Sequence, residues 1–204
     1  KTAFDQHYAL LGITAYYEAT QSHTALQKLN DGYDFIENNL WDNNSNYFGY
    51  YDVVNRDGSN AYNKSFNATV DAITTHLYNL YMITKDLKYL SRLEQMESNI
   101  QDYLVTSMQQ QEIGFAEVYN SLWMTSNSEK RTIMGHVLKT GWCMARIYRI
   151  KEDEATLQSA KDLVQNVLDK GYDRFTAAMY GSFDGFDITE KEPFNATRAL
   201  THAT

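Results

Sequence analysis

The chain has 204 residues and a mass of 23.6 kDa, enough for one domain with a real core and short for two. With 43% hydrophobic, 14% aromatic and 22% charged residues it lies in the range of folded globular proteins, which excludes extended disorder. Eighteen basic against twenty-six acidic residues give a formal charge of −8 and a pI near 5.1, so no basic surface is available for the counterion release that drives nucleic-acid binding, and nucleic acid is excluded as a partner.

One proline, Pro193, occurs in the whole chain, which leaves nearly all of it free to be helical and predicts an all-α protein. The first predicted helix covers residues 3–20 and ends in YYEAT. A tight turn leads to a second at 24–40, whose apolar residues Leu26, Leu29, Tyr33, Ile36 and Leu40 recur every three or four positions. An aromatic, glycine-containing stretch, NYFGYYD at 46–52, closes this unit. The second unit repeats the plan, with helices at 66–84, ending in LYMIT, and at 87–106, carrying Leu90, Leu93, Ile100 and Leu104, then GFAEVYN at 114–120. The third has helices at 135–151, ending in IYRIK, and at 155–171, followed by AMYGSFD at 178–184. The aromatic stretches read as short extended pieces or loops.

The three units are one repeat. Tyr17, Tyr81 and Tyr148 lie at steps of 64 and 67, and the same steps link Leu26, Leu90 and Leu157, and Ile36, Ile100 and Val167. This period exceeds the roughly 34 to 47 residues of the common helical repeats, and the excess lies in loops of about 25 residues, a length usually tied to function. Hairpins of this size, with first helices lining an interior and second helices outside them, predict an (α/α) toroid whose long loops gather on one face. Three hairpins, at about 3–40, 66–106 and 135–171, make about half of an (α/α)6 barrel, so residues 1–204 are expected to be a single barrel-like domain that is incomplete. The last stretch, EKEPFNATRALTHAT, does not continue the pattern, as expected of a truncation or an atypical cap.

A single cysteine, Cys143, cannot form an intramolecular disulfide, in keeping with a reducing compartment. No run of eighteen apolar residues exists, so no membrane span is expected. There is no basic-then-apolar leader, so a signal peptide is either absent or removed, and the expected location is cytoplasmic.

On the tyrosine register the polar residues that stand out fall within the first turns of each inner helix: Asp5 and His7 in the first, Asn67, Thr69 and Asp71 in the second, His136 and Lys139 in the third. Helix N-termini present unpaired N–H groups and the positive end of the dipole, so a toroid that brings three such ends together makes a polar pocket suited to sugar oxygens. Capping alone also accounts for Asp5, Asn67 and Asp71. His136, beside Gly135 at the start of an apolar helix, is expected to be held neutral, as a general base should be. Lys139, three residues on, could stabilise a developing oxyanion. His23, His76 and His202 receive no role. Of the aromatic residues, Trp142 is expected in the core, whereas Tyr47, Tyr50, Tyr51, Tyr180 and Phe183 are the candidates for stacking on a sugar ring. No HExxH, no histidine pair at i and i+4, no EF-hand loop, phosphate loop or nucleophile elbow is present, so no metal or other cofactor is expected.

The strings KTAFDQHYALLGITAYYEAT, NKSFNATVDAITTHLYNLYMITKD and IMGHVLKTGWCMARIY resemble successive inner helices of the N-acylglucosamine 2-epimerase family, which includes cellobiose 2-epimerases and aldose–ketose isomerases; the similarity covers about residues 1–187. The resemblance implies an (α/α)6 barrel and proton transfer at the carbon beside a sugar carbonyl, with histidines as acid and base and no required metal. Gly135 and His136 match the family's helix-opening glycine–histidine pair, which makes His136 the best catalytic match. The second signature is an asparagine followed four residues later by histidine; Asn67 matches and Asp71 stands in the histidine's place. Lys139 stands where the family has glutamate. The leading reading is therefore a sugar 2-epimerase or isomerase with His136, Asp71 and Lys139 catalytic and Asn67, Asp5 and Tyr51 binding a small sugar or oligosaccharide. Two alternatives stay open: a glycoside hydrolase or lyase pairing Asp71 with a carboxylate such as Asp5, and a non-catalytic carbohydrate-binding derivative of the same fold.

Overall fold

Each inner helix ends where a tyrosine carbonyl of the repeat register receives a left-handed cap, in the computed structural model, which describes residues 1–126, 128–172 and 185–193. Helix α1 (Ala3–Thr20) stops at Gln21, φ 53°, whose N–H donates to the Tyr17 carbonyl at 2.8 Å. The next inner helix runs as α3 (Phe66–Ala72), a π-helical turn (Ile73–Leu77) and α4 (Tyr78–Thr84), and stops at Lys85, φ 57°, bonded to Tyr81 at 2.8 Å. Helix α7 (Met134–Lys151) stops at Glu152, φ 53°, bonded to Tyr148 at 2.7 Å. The left-handed residue satisfies an orphan carbonyl and reverses the chain. The tyrosines thus mark the same turn three times.

The outer helices follow at once: α2 (His23–Leu40) behind Ser22 and α8 (Glu154–Asn166) behind Asp153, each cap accepting an N–H from the first turn. Between them come α5 (Leu87–Asn99), a π-helical turn (Ile100–Val105) and α6 (Thr106–Gln111), which carries helix to Gln111, beyond the predicted end at 106. A second outer π-helical turn, Val167–Gly171, starts at the repeat equivalent of Ile100.

By its internal contacts the chain divides into two compact units, Lys1–Asn99 with Val118–Met124, and Ile100–Glu117 with Thr125–Thr204. In the first, α1 packs on α2 and α3 over a core that includes Leu10, Leu29, Ile36, Ile73, Leu77 and Leu93. Its long loop is tied by short antiparallel pairs: β1 (Trp41–Asp42) with β2 (Gly49–Tyr50), and β3 (Lys64–Ser65) with β4 (Val118–Tyr119), Lys64 opposite Tyr119. In the second, α7 packs on α8 through Val137, Met144, Ile147 and Leu163, and β5 (Arg131–Ile133) pairs with β6 (Gly185–Asp187). Trp142, expected in the core, is 51% exposed, because it lies on the face of α7 away from those buried residues; the Arg146 guanidinium stands 4.7 Å from its ring. Among the described residues no helix is long and apolar enough to cross a membrane.

Candidate active site

In the second unit, β5 feeds α7 through Ile133, which has no side chain able to cap the helix. Glu117, from the preceding loop, is bonded at this helix start. Its Oε1 accepts the Ile133 N–H at 3.2 Å, and its Oε2 accepts His136 Nδ1–H at 2.6 Å. An ionised carboxylate can only accept, so the bond puts a ring proton on Nδ1, and the neutral form of that ring has its lone pair on Nε2. The His136 side chain keeps 30% of its surface exposed and that of Glu117 14%, so the pair is partly open to solvent. Lys139 is half-buried three residues further along α7, nearly one turn from His136. Burial pushes the Glu129 carboxyl up; a hydrogen bond from the Arg131 backbone pulls it down, and the charge of Glu117 raises it again.

Sequence reasoning alone does not single out Glu117. Its signal is nonetheless there: one carboxylate among apolar neighbours, Phe115, Ala116, Val118 and Tyr119, three of which are buried. A lone acid in such a run needs a partner.

In the first unit, Asn67 is half-buried as the second residue of α3, Thr69 and Asp71 are buried on the same helix, and the Thr69 hydroxyl has no hydrogen-bond partner. Asp5 is exposed and bonded to the N-cap, accepting the Thr2 hydroxyl at 2.7 Å while its N–H donates to Thr2 Oγ1 at 3.1 Å. Tyr51 is half-buried; burial and its hydrogen bond to Asp42 raise the phenol pKa. Asp42 also accepts from Lys64 Nζ at 2.9 Å, an ammonium that donates to the carbonyls of Tyr47 and Ser121 as well. Lys64 is fully buried: burial lowers its pKa and Asp42 opposes the shift.

Tyr50, a loop candidate by sequence, is fully buried and donates its hydroxyl to Glu37, so it is core and not a stacking surface. Its ring stands edge-on to His7, 4.9 Å between centroids, and His7 stacks on His76 at 5.0 Å. Both histidines are fully buried, and both His7 nitrogens and His76 Nε2 lack partners. Burial first, then His76, holds the His7 pKa well below its ordinary value, and burial takes His76 down to about 3. Tyr180, Phe183 and His202 lie outside the described residues.

A family model described as N-acylglucosamine 2-epimerase (GlcNAc 2-epimerase) matches residues 1–196. The chain belongs to the N-acylglucosamine 2-epimerase family. Among solved structures, a D-mannose isomerase superposes with a TM-score of 0.79 at 19% identity, over 93% of this chain and 47% of the isomerase. The cellobiose 2-epimerase of Bacillus thermoamylovorans B4167 gives 0.79 and 19%, over 95% of this chain and 50% of that one. A GH76 α-mannanase of Bacteroides thetaiotaomicron, BT2949, gives 0.76 at 12%, over 100% and 59%. No curated protein matches. At these identities the likeness shows the fold, an all-α (α/α) toroid of helical hairpins, and the chain spans about half the length of these solved relatives.

Proposed function

We propose that this member of the epimerase and isomerase family acts on a sugar by moving the proton on the carbon next to its carbonyl, as a 2-epimerase or an aldose–ketose isomerase. The observation that carries this reading is the Glu117–His136 pair at the start of α7. His136 Nε2, its lone pair fixed by the bond at Nδ1, removes the carbon 2 proton and becomes imidazolium. The electron pair left on carbon 2 forms a double bond to carbon 1, and the carbonyl oxygen takes the negative charge, which the Lys139 ammonium stabilises. Return of a proton to the other face of carbon 2 gives the epimer; passage of the carbon 2 hydroxyl proton to the carbon 1 oxygen, with return of a proton to carbon 1, gives the isomer. Glu117 acts on the ring, keeping its orientation and favouring the imidazolium. Asp71 is the proposed second proton-transfer group and Asn67, Asp5 and Tyr51 the proposed sugar contacts. Asp71→Asn and Asn67→Ala test these roles one at a time.

The reading is tested by incubating the protein with a panel of aldoses, amino sugars and disaccharides and following epimer and ketose by chromatography. Conversion of one panel member, abolished by His136→Asn, supports it; no conversion across the panel refutes it. The likeness to a GH76 α-mannanase favours a second reading, glycoside hydrolysis, which predicts reducing ends released from oligosaccharides and lost in Asp71→Asn.

A further inference from the structure

We infer that Asn166, on the outer helix α8, is a positioning residue for the His136–Glu117 pair. The inference rests on the proposed proton transfer for its catalytic meaning and on hydrogen-bond geometry for its physical basis. Glu117 hangs from a loop of few residues after α6, and its carboxylate must arrive within hydrogen-bond reach of an imidazole nineteen positions further on. The loop is pinned just upstream. Asn166 Oδ1 accepts the Gly114 N–H at 3.1 Å, and Asn166 Nδ2 donates to the Glu112 carbonyl at 3.3 Å. One amide thus clips a donor and an acceptor of the main chain on either side of Ile113, which is buried.

Between the clip and Glu117 the chain has little freedom. Gly114 has φ 49°, a conformation that costs least in glycine, and a Cβ there would collide with the Thr132 hydroxyl. That hydroxyl accepts the Phe115 N–H at 3.1 Å, and Phe115 and Ala116 are buried. Thr132 belongs to β5, the strand that delivers His136, so Glu117 and His136 are set by the same few fixed points. Outside the clip, Lys191 Nζ meets Glu112 Oε2 at 2.7 Å, but that pair is exposed and contributes little.

The same two residue types recur in the first unit. Asn99 and Gly49 precede Asn166 and Gly114 by 67 and 65 positions, within one position of the repeat's steps of 67 and 64. Asn99 is fully buried with neither side-chain polar atom hydrogen-bonded, and its Nδ2 stands 2.9 Å from where a Gly49 Cβ would be. The outer-helix asparagine against the loop glycine is therefore a feature of the repeat, and in the second unit it serves the loop that bears Glu117.

The test reads the pair directly. The His136 Nδ1–H proton, bonded to a carboxylate at 2.6 Å, is expected as a proton NMR resonance far downfield of the amides, absent in Glu117→Gln. In Asn166→Ala it should broaden or vanish, kcat should fall about tenfold to a hundredfold with KM little changed, and adding Asn166→Ala to Glu117→Gln should slow the enzyme no further. Should Asn166→Ala not fold, Asn166→Gln carries the same test, because it keeps the amide oxygen and nitrogen and sets them one methylene further out. A folded variant whose resonance is unchanged, or a double variant whose losses multiply, overturns the inference. If the wild type converts no sugar, the proposed reaction fails, while the resonance still decides whether Asn166 holds the pair.

Discussion

Lowering the pH from about 7 to about 5 should cost the first unit about 2 kcal/mol of folding stability through His76 alone. The histidine is fully buried, without a partner at Nε2, and titrates at about 3 when folded against 6.5 when exposed. Between those two values the unfolded chain binds a proton that the folded one refuses, so stability is intact above pH 6.5 and falls as the pH drops towards 3. At about 1.36 kcal/mol per pKa unit, the loss reaches about 5 kcal/mol once the pH passes below about 3. His7, stacked on His76 and also held low by burial, adds to the loss with the same sign. Of the other titratable groups around the pair, Tyr33 and Tyr50 stay protonated throughout this window because burial raises their pKa values. Urea denaturation at a series of pH values, followed by the fluorescence of Trp41 and Trp123 in a Trp142→Phe background, gives the slope, and His76→Leu isolates its source. The variant should lose about 2 kcal/mol of the wild type's pH dependence over this interval. An equal slope in wild type and variant would show that the folded-state titration of His76 is wrongly read.

Glu117→Gln should lower the rate of sugar conversion about a hundredfold while changing urea stability by less than about 1 kcal/mol, because the amide still receives the Ile133 N–H but no longer favours the imidazolium. Lys64→Met should destabilise by about 3 to 5 kcal/mol in the same denaturation assay, since it leaves Asp42 and two carbonyls without their buried ammonium; a loss below about 1 kcal/mol would contradict the role assigned to it. Gly114→Ala should cost about 1 to 3 kcal/mol through its left-handed φ and the Thr132 contact, and should weaken the downfield His136 proton; full stability with an intact resonance would contradict the account of the loop.

What the sequence made legible was what repeats at helical period or sits beside a helix end. Leu29, Ile36 and Leu40 write the buried stripe of α2, and Tyr17, Tyr81 and Tyr148 mark the same left-handed turn because the chain reverses there each time. His136 could be singled out because a histidine in the first turn of an apolar helix is locally unusual. Of the short strands, β2 and β4 fall in the aromatic stretches read as short extended pieces or loops, whereas β1 and β3, of two residues each, are too short to show alternation. The pairings that matter most are distant in sequence. Glu117 reaches His136 across nineteen positions, and His7 stacks on a residue in another inner helix. Lys64 carries no local signal of its burial, since a buried lysine needs several partners and its three lie at Asp42, Tyr47 and Ser121, distant from it in sequence. Trp142 misled in the opposite sense, an aromatic within a helix that nonetheless faces outward.

The central claim is that the imidazole of His136, held through Nδ1, takes the carbon 2 proton of a sugar. The most direct measurement tracks the label of an aldose deuterated at carbon 2, in ordinary water, with wild type, Glu117→Gln and His136→Asn compared at equal concentration. Washout is expected with the wild type, slower washout with Glu117→Gln and none with His136→Asn. Washout by His136→Asn at the wild-type rate would contradict the claim.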